Sequence, residues 1–188
     1  MPPEFYTRLQ TYVVNAGIDT SVLQIRKKGS KSKGSLHAVQ RFLYDADLST
    51  FSDPNTFPQI LDDTTIALKG FVDTALPSND NLPWGFARKC LNIFLRNSTY
   101  SHYLRERYSL WGVESILEVP LDSNVAEGLE RDAAKYGLSP PRWNSISQLT
   151  PTVNADWQAI ALAVAQHQNT CRVHLDVSYW RARGRSAS

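Results

Sequence analysis

The chain has 188 residues, of which 42% are hydrophobic and 20% are charged, and its formal net charge is +2. This balance is typical of one folded domain over 1–188 and excludes a disordered chain. No stretch reaches the roughly 20 apolar residues of a membrane-spanning helix, and the polar N-terminus is unlike a secretory signal. We therefore expect a cytoplasmic protein without a membrane partner. Two cysteines, Cys90 and Cys171, are too few for a four-cysteine metal site and predict free thiols.

Apolar residues at helical spacing predict helices in the first half of the chain. Phe5, Leu9 and Val13 share one helical face ahead of Gly17, which is suited to end the helix. Further helices are predicted over 36–46, 59–76 and 84–96, with loops rich in turn-forming residues between them at 50–58 and 77–83.

The second half also reads as helical. We predict helical structure over 100–112, a helix that begins near Asp122 and ends at Gly137, and a helix after 154 with Asn154 as its N-cap. Residues 173–179 alternate apolar and polar side chains, as a strand would. A lone strand would lack a partner, so we predict a helix there and an all-α fold.

Positive charge is concentrated in one glycine- and serine-containing segment, 25–35, which holds no acidic residue. Local basic patches matter more than net charge when the partner is a polyanion. Four lysines of this segment are candidates for contact with DNA phosphates: Lys27, Lys28, Lys31 and Lys33.

Two sequence motifs lie far apart along the chain. The first, "LPWGFARKCLN", carries Leu82, Pro83, Lys89 and Asn92; the second, "VPLDSNVAEGLERDAAKYGL", carries Val119, Pro120, Asp122, Ser123, Val125, Gly137 and Leu138. In this order they resemble the paired motifs of the helix-hairpin-helix DNA glycosylase superfamily, typified by endonuclease III. The resemblance implies two helical lobes with a cleft between them, a helix-hairpin-helix motif at 82–95 and a catalytic aspartate segment at 116–138.

The resemblance also implies roles for individual residues. Lys89 would attack the sugar C1′ to form a Schiff base, and Asp122 would stabilise positive charge developing on the sugar. Double-stranded DNA would be bound with one base flipped into a pocket that includes Trp84 and Asp176, while Gly85 and Arg88 would contact phosphates. The implied enzyme is a monomer that needs no metal and no organic cofactor.

The sequence departs from the family pattern at several points. One hairpin glycine is missing, Asn124 replaces the usual histidine, and 33 positions separate Lys89 from Asp122. The longer connection is similar to that of archaeal 8-oxoguanine glycosylases and, more loosely, of bacterial glycosylases that attack hypermodified bases in phage DNA. The excised base, 8-oxoguanine or a hypermodified cytosine, is left open, as are an accompanying lyase activity and a repair or phage-defence role.

Other interpretations of the same residues compete with this one. Asp122 alone would most simply be a helix cap and Lys89 a surface lysine. Arg96 and His102 have the loose arginine–histidine spacing of helical ribonucleases of the HEPN type. A non-enzymatic helical DNA-binding protein is the third class. Loss of Lys89 or Asp122 would inactivate a glycosylase, loss of Arg96 or His102 would inactivate a ribonuclease, and neither would affect a binding module.

Overall fold

The computed structural model describes residues 1–19, 30–76 and 81–183, with side chains described at 1–19, 34–76 and 81–179. These residues form eight α-helices and no β-strand, which confirms the all-α prediction for the described part of the chain. In chain order the helices are α1 (Pro3–Gly17), α2 (Ser30–Tyr44), α3 (Phe57–Ala75), α4 (Trp84–Tyr100), α5 (His102–Arg107), α6 (Ser123–Lys135), α7 (Pro151–His167) and α8 (Leu175–Arg183). Short 3₁₀ turns occupy Leu48–Phe51, Leu110–Val113, Ile146–Gln148 and Arg172–His174.

The buried apolar residues form two clusters. The first is built mainly from α1 to α5 and includes Phe51, Phe57 and Phe94. The second is built mainly from α6, α7 and α8 around the fully buried Trp157. Helix α4 packs against α1 and α3 and also contacts α7 and the turn Ile146–Gln148, so it joins the two clusters.

The ends of α6 show how local sequence sets helix boundaries. Asp122 is its N-cap, and the side chain accepts hydrogen bonds from the main-chain N–H groups of Asn124 and Val125. At the other end Gly137 has φ +70°, a conformation that favours glycine. The N–H groups of Gly137 and Leu138 bond back to Ala134 and Ala133 in a Schellman arrangement. The predicted helix start and the glycine stop are both confirmed.

Other predicted boundaries need correction. Asn154 is not the N-cap of α7, because that helix begins at Pro151 and the side chain of Thr150 accepts from the N–H of Val153. The predicted helical run over 100–112 is interrupted at Ser101, whose extended backbone ends α4 before α5 begins. Residues 175–183 are helical, as predicted for the ambiguous C-terminal segment.

Two further predictions concern the basic segment and membranes. Lys27 and Lys28 lie outside the described residues; Lys31 and Lys33 belong to α2, but their side chains are likewise outside them. Among the helices that the structure describes, none combines the length and the apolar character required to cross a bilayer.

Candidate active site

The centre of the candidate site is a buried segment without helical or strand structure. Six consecutive residues, 117–122, are all buried and lie directly before α6. A buried backbone requires partners for its polar groups. The Gln158 side chain supplies two of them, accepting from the Val119 N–H at 3.0 Å and donating to the Val119 carbonyl at 2.9 Å. Arg172 donates to the carbonyls of Leu117 and Ile116 at 2.9 and 2.6 Å. Side chains therefore hold this segment in place of a neighbouring strand.

Glu118 connects this segment to α4 and α7. Its carboxylate receives two parallel 2.8 Å hydrogen bonds from Arg88, a bidentate geometry that also fixes orientation. Asn92 adds a hydrogen bond at 3.0 Å, and the Asn154 amide lies 3.2 Å from both oxygens. Asn154 is thus engaged with Glu118 in the interior of the protein instead of capping α7.

The surroundings of Glu118 keep it ionised. Burial alone would raise the pKa of its carboxyl group, but the Arg88 hydrogen bonds and charge, together with the Asn92 and Asn154 hydrogen bonds, lower that pKa below its ordinary value. Arg88 also donates to Asp62 and Thr65, at 2.8 and 3.1 Å. The result is a nearly saturated set of buried hydrogen bonds around one ion pair.

Lys89 and Asp122, the two residues predicted to carry the chemistry, are in direct contact. The Lys89 Nζ lies 3.0 Å from the Asp122 Oδ2, and the two side chains are only 8% and 11% exposed. Lys89 lies in the second turn of α4 and Asp122 at the start of α6, so the fold closes a sequence separation of 33 residues. The separation of the two motifs along the chain is no obstacle to their acting together.

The two oxygens of Asp122 have different partners. Oδ1 accepts from the N–H groups of Asn124 and Val125, at 2.9 and 3.0 Å, whereas Oδ2 accepts from Lys89. The positive end of the α6 dipole also favours a negative charge here. The cap therefore fixes the orientation of the carboxylate while Oδ2 remains directed at the lysine. Capping and a chemical role are compatible in this geometry.

One aromatic residue that the sequence did not single out lies beside the start of α6. The Trp143 Nε1 lies 3.3 Å from the Ser123 Oγ, and the ring packs edge-to-face on Trp157 with centroids 5.7 Å apart. Ser123 directly follows Asp122. Five tryptophans occur in the chain, and no local pattern indicated which of them would lie near the aspartate.

Gly85 and Arg88, the predicted phosphate contacts, have partners inside the protein. Gly85 lies in the first turn of α4, where a Cβ atom would come within 2.2 Å of the Ile146 carbonyl oxygen. The glycine therefore allows the chain around Ile146 to pack on α4. Arg88 has a side chain that is 6% exposed and is bound by Glu118 and Asp62. A phosphate contact by Arg88 would require these pairs to rearrange.

The predicted pocket residues Trp84 and Asp176 do not share one environment. Trp84 lines a cavity, with the Arg88 guanidinium 5.5 Å from the centre of its ring. Asp176 is buried and forms an ion pair with Arg96. Arg96 also donates to the neighbouring Asn97 side chain, while His102 is exposed and its ring packs against Tyr103. The described contacts of Arg96 and His102 are thus with other residues, and none of them joins the two into a ribonuclease site.

Neither a search for metal-binding groups nor comparison with known proteins identifies the chemistry of the site. Within residues 1–19, 30–76 and 81–183, no group of three or more histidine, cysteine, aspartate or glutamate side chains could hold a metal ion. Comparison of the chain with protein-family models, with curated proteins and with solved structures gave no match.

Proposed function

We propose that the protein is a DNA glycosylase that excises a damaged or modified base, with Lys89 and Asp122 as its catalytic residues. The observation that supports this proposal is the 3.0 Å contact between the Lys89 Nζ and the Asp122 Oδ2. The sequence resemblance pairs these two residues, and nothing in their sequence separation alone would bring them together. The proposal includes double-stranded DNA as the partner and an extrahelical base as the substrate.

The geometry of Asp122 suits charge stabilisation. Cleavage of the bond between base and sugar leaves positive charge on the sugar, and a fixed anion nearby stabilises that charge. The N–H groups of Asn124 and Val125 hold the Asp122 carboxylate oriented without help from a substrate, and the dipole of α6 favours a negative charge there. Such a preorganised carboxylate costs no reorganisation during the reaction.

The geometry of Lys89 suits nucleophilic attack once its proton has been transferred. The attacking species is the neutral amine, which forms a bond to C1′ as the bond from C1′ to the base breaks and its electron pair leaves with the base. The proton that Nζ loses ends on the departing base, so the Asp122 carboxylate, which lies within hydrogen-bonding distance of Nζ, remains able to stabilise the charge on the sugar. Both side chains are nearly buried, so a substrate must displace the covering residues to reach them.

Borohydride trapping tests the proposal directly. Duplexes carrying a single 8-oxoguanine, uracil, hydroxymethylcytosine or glucosylated hydroxymethylcytosine are incubated with the protein and reduced. A covalent adduct on one of these duplexes that disappears in Lys89→Gln would support a lysine nucleophile and would name the base. Base release that persists without an adduct, but is lost in Asp122→Asn, would support a glycosylase that relies on the aspartate alone.

A matched control is available on α6. Lys135 pairs with Asp132 at 2.7 Å, but the Lys135 side chain is 62% exposed and lies at the other end of the helix. Lys135→Gln removes a lysine that pairs with an aspartate outside the candidate site, so full activity is expected. Unchanged base release in both Lys89→Gln and Asp122→Asn would contradict the proposal. Absence of base release on every duplex would do the same and would shift the test to RNA cleavage with Arg96 and His102 variants.

A further inference from the structure

A cavity of about 200 Å³ lies at the junction of the two hydrophobic clusters. Its wall is formed by residues of α3, α4 and α7, by Ile116 and Glu118, and by Arg172 of the turn Arg172–His174. Neither Lys89 nor Asp122 lines it. The cavity is therefore separate from the lysine–aspartate pair and calls for its own explanation.

The ion pairs in the wall of the cavity are unevenly distributed between its two arginines. Two guanidinium groups, those of Arg88 and Arg172, and two carboxylates, those of Glu118 and Asp62, line the cavity. Both carboxylates pair with Arg88, Glu118 through two hydrogen bonds. The carboxylate of Asp62 is 60% exposed and lies at the solvent side of Arg88. Among the described carboxylates none forms an ion pair with Arg172. The charges in the wall are thus equal in number, but Arg172, which is partly exposed, has no direct ion pair among the described residues.

Arg172 also retains hydrogen-bonding capacity. Its described hydrogen bonds run to the carbonyl oxygens of Leu117, Ile116 and Gln158, which accounts for three of the five N–H groups of a guanidinium. Burial lowers the pKa of Arg172, and the charge of Arg88 lowers it further against the opposing effect of Glu118. Because burial disfavours the charge of Arg172, a bound anion would stabilise this cation.

Apart from Asn154, the other lining residues are apolar or aromatic. They include the rings of Phe57 and Trp84, while the exposed Ala155 lies at the mouth. Cavities for drug-sized ligands have volumes of about 300–1,000 Å³, and one water molecule occupies about 30 Å³ of liquid. A space of about 200 Å³ therefore holds a single ring with one substituent and excludes a complete nucleotide.

We propose that this cavity binds a small planar anion, a single aromatic or heteroaromatic ring carrying a carboxylate. The carboxylate pairs with Arg172, and the ring lies against Trp84 and Phe57. Planar guanidinium groups recognise carboxylates through two parallel hydrogen bonds, and aromatic rings pack on an indole at little entropic cost.

Three probes of equal size separate charge from shape. Benzoate, benzamide and benzylamine are titrated against the wild-type protein, and binding is followed by calorimetry and by the indole N–H resonances in ¹⁵N spectra. We expect benzoate to bind with a Kd of about 1 mM or tighter, benzamide at least about tenfold more weakly, and benzylamine not at all. Equal binding of the three probes, tighter binding of benzamide than of benzoate, or no binding of benzoate would overturn the proposal.

Two variants of α7 locate the site. Ala155→Phe fills the mouth of the cavity from an exposed helix position and is expected to weaken benzoate binding at least about tenfold. Ala159→Phe introduces the same ring one turn later, at an exposed position that does not line the cavity, and should leave binding unchanged. Equal loss in both variants, or in neither, would overturn the assignment. Lys89→Gln should retain benzoate binding, and loss of binding there would instead assign the anion to the lysine–aspartate pair.

Discussion

Arg88 and Lys89 are neighbours on α4, and each pairs with a carboxylate of the same buried segment, Arg88 with Glu118 and Lys89 with Asp122. The first pair is enclosed by further hydrogen bonds from α3, α4 and α7. The second consists of one contact and a helix cap. The arginine pair is suited to hold the segment in position, whereas in the proposed function the lysine pair supplies the nucleophile and the carboxylate. On that proposal, adjacent positions on one helix serve stability and chemistry separately.

The largest expected effect comes from breaking the arginine pair. Arg88→Met leaves the Glu118 charge buried without a cation, and we expect it to lower the free energy of unfolding by about 3–5 kcal/mol. Denaturant unfolding with fixed m-values measures the difference. A loss below about 1 kcal/mol would show that the pair does not hold the segment, and the comparison between the two pairs would collapse.

Acid should weaken the Arg88–Glu118 pair, and Glu118→Gln should abolish this pH dependence. The folded protein holds the pKa of Glu118 below its ordinary value, so its ionised form stabilises the fold above about pH 4.3, the unfolded value. That contribution is lost as the pH falls through the lower folded pKa. The difference in unfolding free energy between wild type and Glu118→Gln should therefore shrink as the pH is lowered from about 5. Parallel stability curves over this range would argue against an ionised Glu118.

The smallest effect on stability is expected at the lysine pair. Lys89→Gln leaves Asp122 with its two N–H donors and the α6 dipole, so the cost should be about 1.5–3 kcal/mol, the range for a hydrogen bond to a charged group. Comparison of the unfolding free energies of Lys89→Gln and Arg88→Met tests whether these neighbouring cations differ in role. A cost for Lys89→Gln as large as that of Arg88→Met would assign both pairs to structure and would leave the catalytic proposal without support.

The sequence predicted helices better than it predicted partners. Apolar periodicity and glycine stops located most helices because these signals act within a few residues. Only the resemblance to a motif pair suggested that Lys89 and Asp122 lie close together, because spacing along the chain carries no information about contact across 33 residues. Asn154 was misread as a cap since asparagine suits that position, whereas tertiary contact with Glu118 determines its environment.

Glu118 itself went unnoticed for the same reason. Its partners Arg88, Asn92 and Asn154 lie 26 to 36 residues away, and none of them is distinctive alone. The position of Arg172 in the wall of the cavity, and the cavity itself, likewise depend on tertiary packing. The local sequence indicates only that Asp122 caps a helix. It does not show that the main chain of residues 117–122 is held by side chains from α7 and the turn Arg172–His174.

The hydrogen bonds of Gln158 to both polar groups of Val119 have a consequence for insertions and deletions. They fix the register of the segment between Glu118 and Asp122, so adding or removing one residue there would turn Asp122 away from Lys89. The connection from α4 to the start of this segment carries no such constraint along its exposed parts. We therefore expect variation in chain length to be tolerated in the exposed parts of that connection and not between Glu118 and Asp122.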